Sequence, residues 1–306
     1  MSGPILEALD LHYTYPDGTR ALRGVTLRVP EGSKVAVLGP NGAGKTTLFL
    51  HLNGLLRPRK GTVRFAGREV RYDRKSLGEL RRAVGMVFQD PDSQLFCASV
   101  FEEVSFGPAN LGLAPEEVRR RVREALQATD AEDLAERPTH YLSYGQKRRV
   151  CVAGVLAMEP RVLICDEPTA GLDPRQSAGL VELLDRVACR SGTVLIATQD
   201  VDLAYSWADY AYFMDGGRVV GEGLPQEVFR DARLLESWSL TRPWLVEIHE
   251  QLSRRGWLPD GLPLPRTKEQ LFDYMQRVSG SGKPALVPLF SREKMRPECA
   301  SCSVGR

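Results

Sequence analysis

A glycine-rich run that could bind phosphate lies between an apolar segment and a segment with helical spacing. Residues 34–38 have the character of a short buried strand, and residues 46–56 follow a helical pattern. The loop between them matches GxxxxGK[ST], in which glycines let backbone N–H groups converge on phosphate oxygens at a helix N-terminus. Lys45 would reach the β- and γ-phosphates of a nucleotide, and the Thr46 hydroxyl would bind Mg²⁺. The residues predicted to contact the nucleotide here are Gly39, Pro40, Asn41, Gly42, Ala43, Gly44, Lys45, Thr46 and Thr47.

Two adjacent carboxylates form the second chemical feature. Asp166 and Glu167 follow the apolar run 162–165, which is typical of a buried parallel strand. Ligands of α/β sheets bind at the carboxyl ends of the strands, so Asp166 is expected to hold Mg²⁺, directly or through water. Glu167 would polarise the attacking water as a general base, an effect worth about 10²–10⁴ in rate. Together with the phosphate loop, this pair predicts an enzyme that hydrolyses a nucleoside triphosphate.

The order of the predicted elements indicates an α/β protein with an insertion. Short β-prone segments alternate with helical patterns, as in a parallel sheet. From about residue 95 to about residue 150 the pattern is helical, so we expect an α-helical insertion there. The predicted division is a core domain at residues 1–236 and a C-terminal extension at 237–306, whose Gly-, Ser- and Pro-rich last part is expected to be flexible.

Composition narrows the possible classes of protein. The 306 residues are 42% hydrophobic and 26% charged, which is the balance of a globular protein with a full core. The 41 basic and 39 acidic residues leave a net charge of +2, so no overall field favours nucleic acid as a partner. The sequence has no apolar run long enough to span a bilayer and no signal-peptide pattern at its start, and single scattered cysteines suit reduced thiols. These features predict a cytoplasmic protein.

Further motifs around these anchors resemble those of ABC-type ATPases. Residues 142–146, Leu-Ser-Tyr-Gly-Gln, are similar to the LSGGQ signature, with Tyr144 in place of the first glycine. Gln89 resembles the Q-loop glutamine, Asp173 the D-loop aspartate, and Tyr15 the aromatic residue that stacks on adenine. The resemblance covers about residues 4–235. It implies a P-loop NTPase fold with a parallel sheet core, an antiparallel β-subdomain, an α-helical insertion and a small C-terminal extension.

The resemblance also implies a mechanism in which two such subunits pair head to tail with ATP at their interface. Ser143 and the backbone of Gly145, assisted by Gln146, would donate to the γ-phosphate of an ATP held by the partner. ATP would close the dimer and hydrolysis would open it. Tyr144 is expected to be tolerated, because the backbone there need not adopt a positive φ. The implied Mg²⁺ ligands are Thr46, Gln89 and Asp166, and the implied catalytic residues are Glu167, Lys45 and Gln199.

Gln199 departs from the family pattern, which usually has a histidine after the strand predicted at residues 193–198. A glutamine can donate a neutral N–H to a phosphate oxygen but carries no charge, and a charge-assisted bond is roughly twice as strong. The sequence therefore predicts slower hydrolysis than in a Gln199→His variant. Hydrolysis is still expected, because Glu167 and Lys45 remain.

The segment after Gln89 resembles the ATPases of energy-coupling-factor importers, in which it forms a groove for helices of a membrane subunit. Four apolar residues could line such a groove, although ordinary core packing is expected to account for some of them: Leu95, Phe96, Val100 and Phe106. Residues 200–209 and the following tail resemble the cobalt-type members. We therefore expect a peripheral ATPase at the cytoplasmic face of the cell membrane that powers cobalt or nickel uptake. The expected partners are a second ATPase subunit, identical or paralogous, a membrane coupling subunit and a substrate-binding membrane subunit.

Alternatives to the metal-importer interpretation remain open from the sequence. The same kind of subunit could power vitamin uptake, and soluble non-transport ABC proteins and exporters share the motifs. Cys299 and Cys302 could bind a soft metal. Arg148 and Arg149 are predicted to lie on a solvated helix face. Near the start of the C-terminal extension, one face of a short helix is predicted to carry Trp244, Ile248 and Leu252.

Overall fold

The structure is a computed structural model that describes residues 3–279 except 239 and 260. Within these residues the chain divides into a unit that ends at Trp244 and a second unit that begins at Leu245. The boundary proposed from the sequence, between residues 236 and 237, stays a prediction. Cys299, Cys302 and the tail expected to be flexible lie outside the described residues.

A six-stranded sheet forms the centre of the first unit. Its strands are, in spatial order, β10 (Arg218–Gly223), β9 (Tyr210–Asp215), β3 (Lys34–Leu38), β8 (Thr193–Thr198), β7 (Val162–Asp166) and β6 (Val84–Val87). All run parallel except β10, which pairs antiparallel with β9 at the edge. Strands β7 and β8 are buried along their whole length, which explains their unbroken apolar character. The pairing of Leu38 with Thr198 and of Asp166 with Ala197 brings the carboxyl ends of β3, β8 and β7 together.

A smaller antiparallel sheet packs against the first helix and part of the same core. In spatial order its strands are β2 (Arg20–Pro30), β1 (Pro4–Thr14), β4 (Lys60–Phe65) and β5 (Arg68–Glu69). Alternate residues of β2, including Val25, Leu27 and Val29, are buried, as expected for a strand with one face on a core. This sheet confirms the antiparallel subdomain that the family resemblance implied.

The helices follow the strands along the chain. Those of the first unit are α1 (Lys45–Leu52), α2 (Arg74–Ala83), α3 (Val100–Asn110), α4 (Pro115–Ala128), α5 (Tyr144–Leu156), α6 (Pro174–Ser191), α7 (Val201–Trp207), α8 (Pro225–Val228) and α9 (Ala232–Ser237), with the start of α10 (Trp244–Arg254). The second unit holds most of α10 and all of α11 (Lys268–Ser279). No helix among the described residues is both long and apolar enough to cross a bilayer.

Helices α3, α4 and α5 form the predicted helical insertion and have a small core of their own. Val104, Val122, Leu126 and Val150 are each almost fully buried in it. The α/β class and the insertion are therefore confirmed. Val100 also lies in this core and is fully buried, so core packing, and not an exposed groove, accounts for this residue.

The helix predicted after residue 243 is α10, and Trp244, Ile248 and Leu252 share one of its faces, but that face is not the buried one. In α10 the buried side chains are Leu245, Val246 and His249, whereas Trp244 and Ile248 are more than a third exposed. Both triplets satisfy helical spacing, so the periodicity alone could not select the buried one.

Candidate active site

The phosphate loop, residues 39–46, wraps around the ammonium group of its own lysine. Lys45 is 6% exposed, and its Nζ donates to the carbonyls of Gly39 at 2.6 Å and Pro40 at 3.2 Å. Helix α1 begins at Lys45, and no side chain caps its first turn. The N–H groups there are thus left for an anion, which a helix N-terminus favours.

Two glycines of the loop are required by close backbone approach. A Cβ on Gly39 would lie 2.1 Å from the carbonyl oxygen of Met214, and one on Gly44 would lie 2.6 Å from that of Ala21. Gly44 also has a φ of 99°, which side-chain-bearing residues rarely adopt. The glycine pattern in the sequence therefore reflects how tightly this loop is held against its neighbours.

Thr46 and Asp166 meet where α1 begins and β7 ends. The Thr46 hydroxyl donates to Oδ2 of Asp166 at 2.6 Å, whereas the buried Oδ1 has no hydrogen-bond partner. Burial raises the pKa of Asp166, and the Thr46 hydrogen bond and the charge of Lys45 oppose this shift. A free carboxylate oxygen next to a hydroxyl is the kind of oxygen donor set that Mg²⁺ prefers, so these residues fit the ion.

Glu167 lies beside Lys45, with its Oε1 3.4 Å from the Lys45 Nζ. Burial raises the pKa of this carboxyl, and the neighbouring Lys45 charge opposes the rise. Its backbone has a φ of 44°, in the left-handed region, a strain that persists only where the surroundings hold the residue firmly. The backbone N–H of Glu167 donates to Ala197 at 2.9 Å. A partly desolvated carboxylate with a raised pKa suits a general base.

Gln199 follows β8, the strand next to β7. Its backbone N–H lies near the Glu167 carboxylate and favours the charged form of that group, and the residue as a whole is exposed. The structure thus places it beside Glu167. Its contact with a phosphate stays a prediction.

Tyr15 and Gln89 lie at two further edges of the site. The Tyr15 hydroxyl is 3.1 Å from Oγ1 of Thr47, which places this aromatic residue against α1. Gln89 is exposed, and its carbonyl accepts a hydrogen bond from the Tyr144 hydroxyl at 3.3 Å. Stacking of Tyr15 on adenine and Mg²⁺ binding by Gln89 remain predictions.

The signature residues form a second cluster at the start of α5. Ser143 and Gln146 make a capping box, in which the Gln146 side chain accepts from the Ser143 N–H at 2.9 Å and the Ser143 hydroxyl accepts from the Gln146 N–H at 3.4 Å. Asp173 caps α6 in a similar way, accepting from the Gln176 N–H at 2.8 Å. Ser143, Gly145, Gln146 and Asp173 line one cavity of about 640 Å³, and that cavity has no phosphate-loop residue in its wall.

Tyr144 fits its position, as predicted. It lies within helix α5 and has no positive φ, so a side chain costs no backbone strain. Its ring packs against Gly171, where a Cβ would lie 3.1 Å from a ring carbon. Through this contact and its bond to the Gln89 carbonyl, Tyr144 touches the segments around Gln89 and before Asp173.

Arg148 is the important residue that the sequence analysis missed. It was predicted on a solvated face, yet it is only 1% exposed and donates to the carbonyls of Phe88, Glu167 and Pro168. Arg149, in contrast, donates to the carbonyl of Asp130 near the surface. The helical spacing on α5 could have indicated this burial, because Arg148 lies three residues before the apolar Cys151 and so shares a helix face with it.

Comparison with known proteins places these features in a family context. A family model described as "ABC transporter" matches residues 22–170. The chain is 46% identical over 274 residues to "Energy-coupling factor transporter ATP-binding protein EcfA" of Methanocaldococcus jannaschii, covering 89% of this chain and 98% of that protein. The protein of the same name from Methanococcus maripaludis is 44% identical, over 83% of this chain and 91% of the relative.

Solved structures show the same fold. The structure of cbiO1 from Clostridium perfringens, described as part of the ABC transporter complex cbiONQ, is 44% identical with a TM-score of 0.70, covering 81% of this chain and 99% of that one. A dimeric ATP-binding cassette, MJ0796, in a post-hydrolysis state with ADP and Pi is 27% identical with a TM-score of 0.66. It covers 72% of this chain and 98% of that one.

Proposed function

Because this chain belongs to the ABC transporter ATP-binding proteins of the energy-coupling-factor type, whose ATP hydrolysis is coupled to transport, we propose that it powers the uptake of cobalt or nickel ions through membrane partners. The observation that supports ATP hydrolysis is the cluster of Lys45, Asp166 and Glu167 at the phosphate loop. The proposed cargo, cobalt or nickel, rests on the resemblance of residues 200–209 and the following tail to cobalt-type ATPases.

Lys45 has two sets of partners to exchange when ATP binds. In the structure it donates to two loop carbonyls and pairs with Glu167. Phosphate oxygens would replace these partners of Lys45, since they are stronger acceptors for an ammonium group. Glu167 would then be free to accept a proton from the attacking water. This exchange makes the base available only when nucleotide fills the loop.

Thr46 and Asp166 would hold Mg²⁺, with Gln89 as the third ligand that the family resemblance implies. When bound, the ion supplies charge stabilisation to the transferring phosphoryl group. The unpartnered Oδ1 of Asp166 supports this assignment, because a buried carboxylate oxygen without a donor is costly unless a ligand satisfies it.

ATPases of this type act as dimers with membrane components, and we propose a head-to-tail pairing here with an identical or paralogous subunit. The signature cluster of Ser143, Gly145 and Gln146 at the α5 N-terminus lines a cavity separate from the phosphate loop. A partner's ATP would meet these N–H donors across the interface. One bound γ-phosphate would thereby join both subunits.

Two exposed aromatic rings mark the surface proposed for the membrane subunit. Phe96 and Phe106 are 65% and 48% exposed, and their rings meet edge to face at 4.7 Å. Leu95 lies partly buried next to the helical core, and Val100 lies within it. An exposed apolar pair on the segment after Gln89 suits contact with an apolar helix from a membrane partner at the cytoplasmic face.

The test is purification of the tagged full-length chain from its native membranes in detergent, followed by identification of the proteins recovered with it. A coupling-type membrane protein with small metal-importer subunits supports the proposal and leads to cobalt and nickel uptake assays. A vitamin-binding subunit keeps the mechanism but replaces the cargo. Recovery of no membrane protein contradicts the transport assignment. As a matched control, the double variant Phe96→Ser, Phe106→Ser should bind ATP normally and lose the membrane proteins.

A further inference from the structure

Arg148 is a buried cation whose hydrogen bonds all go to backbone carbonyls. Its Nε donates to Pro168 at 3.1 Å, its Nη2 to Glu167 at 2.5 Å, and its Nη1 to Phe88. A guanidinium is expensive to bury, and an apolar side chain of similar size often suits a core at least as well. The three hydrogen bonds of this guanidinium therefore point to a role beyond filling space.

The three carbonyls belong to three parts of the proposed catalytic site. Phe88 directly precedes Gln89, Glu167 is the proposed general base, and Pro168 begins the turn that leads to Asp173. Arg148 itself lies on α5, the helix that starts at the signature residues. One planar side chain thus joins the signature helix to the ends of β6 and β7.

The Glu167 backbone is held on both of its polar groups. Its N–H donates to Ala197, and its carbonyl accepts from Arg148. This matters because Glu167 has a φ of 44°, a conformation that side-chain-bearing residues adopt only under constraint. These two hydrogen bonds fix the direction in which the Glu167 side chain leaves the main chain, so that its carboxylate lies beside Lys45 and the phosphate loop.

The same face of α5 also fastens the segment 88–92. The Tyr144 hydroxyl donates to Gln89, Lys147 pairs with Asp92 at 2.5 Å, and the Cys151 thiol lies 3.8 Å from the Pro91 carbonyl. Together with Arg148 these residues occupy positions i, i+3, i+4 and i+7, which is one stripe of a helix. Of the four, Arg148 is the residue whose bonds continue to Glu167.

We propose that Arg148 is a positioning residue for ATP hydrolysis. It holds Glu167 in its left-handed conformation through the carbonyls of Glu167 and Pro168, and it ties that conformation to α5 and segment 88–92 through Phe88. The inference rests on the proposed role of Glu167 as general base. It predicts that loss of the guanidinium fork misplaces the base while nucleotide still binds.

The first experiment compares Arg148→Lys with Arg123→Lys in the full-length chain. Lysine keeps the positive charge but carries its donors on one nitrogen, so it cannot reach three carbonyls that a planar fork reaches. At saturating Mg·ATP we expect kcat of Arg148→Lys to fall about 10- to 100-fold, since small misplacements of a catalytic group have effects of this order. KM for ATP should change less than about twofold. Arg123→Lys, altered at an exposed arginine of α4, should retain wild-type kcat.

The second experiment repeats Arg148→Lys on a Glu167→Gln background. If Arg148 acts through Glu167, the residual rate should fall no further once the carboxylate is gone. An equal loss on both backgrounds, or a rise in KM that matches the fall in kcat, overturns the proposal. Wild-type turnover in Glu167→Gln alone contradicts the role of Glu167 itself and removes the basis for the inference. ATP titration of every variant shows whether it is folded and still binds nucleotide. Arg148→Gln serves as a second substitution, so that a misplaced Glu167 can be distinguished from failure to fold.

Discussion

Gln199→His is the substitution whose effect on turnover follows most directly from the site. Strand β8 ends at Thr198, and the Gln199 backbone N–H lies near the Glu167 carboxylate. The side chain of residue 199 therefore starts next to the proposed general base. Because Gln199 is exposed, a histidine there should leave the core unchanged.

The expected gain follows from the difference between a neutral and a charged donor to phosphate. Both side chains would donate to an anionic phosphate oxygen, but only the imidazolium adds a charge of its own, and two opposite unit charges 4 Å apart attract by about 1 kcal/mol even in bulk water. A difference of about 1 kcal/mol in the transition state corresponds to an increase of about fivefold in kcat. The imidazolium exists below its pKa, near 6.5 for an unperturbed histidine, and is lost as pH rises. The advantage should therefore be largest at pH 6.5 and smaller at pH 8.5.

The assay is phosphate release at saturating Mg·ATP by wild type, Gln199→His and Gln199→Asn at both pH values. The asparagine variant keeps a neutral amide on a shorter side chain and should show no gain at either pH. Equal turnover of the glutamine and histidine forms would refute the reasoning. A gain that does not change with pH would show that charge is not its source.

Three further outcomes are expected. Gly44→Ala places a Cβ 2.6 Å from a backbone carbonyl at a φ of 99°, so ATP affinity measured by titration should fall at least about tenfold. Gly78→Ala, with open space around it, should bind ATP as wild type does, and equal affinities in both variants would contradict the steric argument. Leu126→Ala should destabilise the helical insertion by about 2–5 kcal/mol, measured by denaturant unfolding. An unchanged unfolding free energy would contradict the packed core of the insertion. Burial raises the pKa of the Cys165 thiol to about 12, so peptide mapping after native alkylation at pH 8 should find Cys189 modified and Cys165 intact; a modified Cys165 would show that β7 opens readily.

Features that depend on contiguous residues could be predicted from the sequence. The phosphate loop, the strand ends that carry Asp166 and Gln199, and the helical insertion are all found where local patterns placed them. Each depends on spacing within a few residues, such as an apolar run, a glycine at a turn, or an acid after a strand. The alternation of strands and helices then limits the sheet to few topologies.

The tertiary structure decides which of several side chains with similar local sequence patterns is buried. Arg148 and Arg149 are adjacent and chemically identical, yet only Arg148 meets three carbonyls that come from distant parts of the chain. In the same way, Val100 lies in a core and Phe96 at the surface, although both were expected to line one groove. The physical reason is that burial of a side chain is set by what packs against it. A buried cation is stable only where the fold brings hydrogen-bond acceptors from several elements together. A local sequence pattern does not show that such distant segments are neighbours.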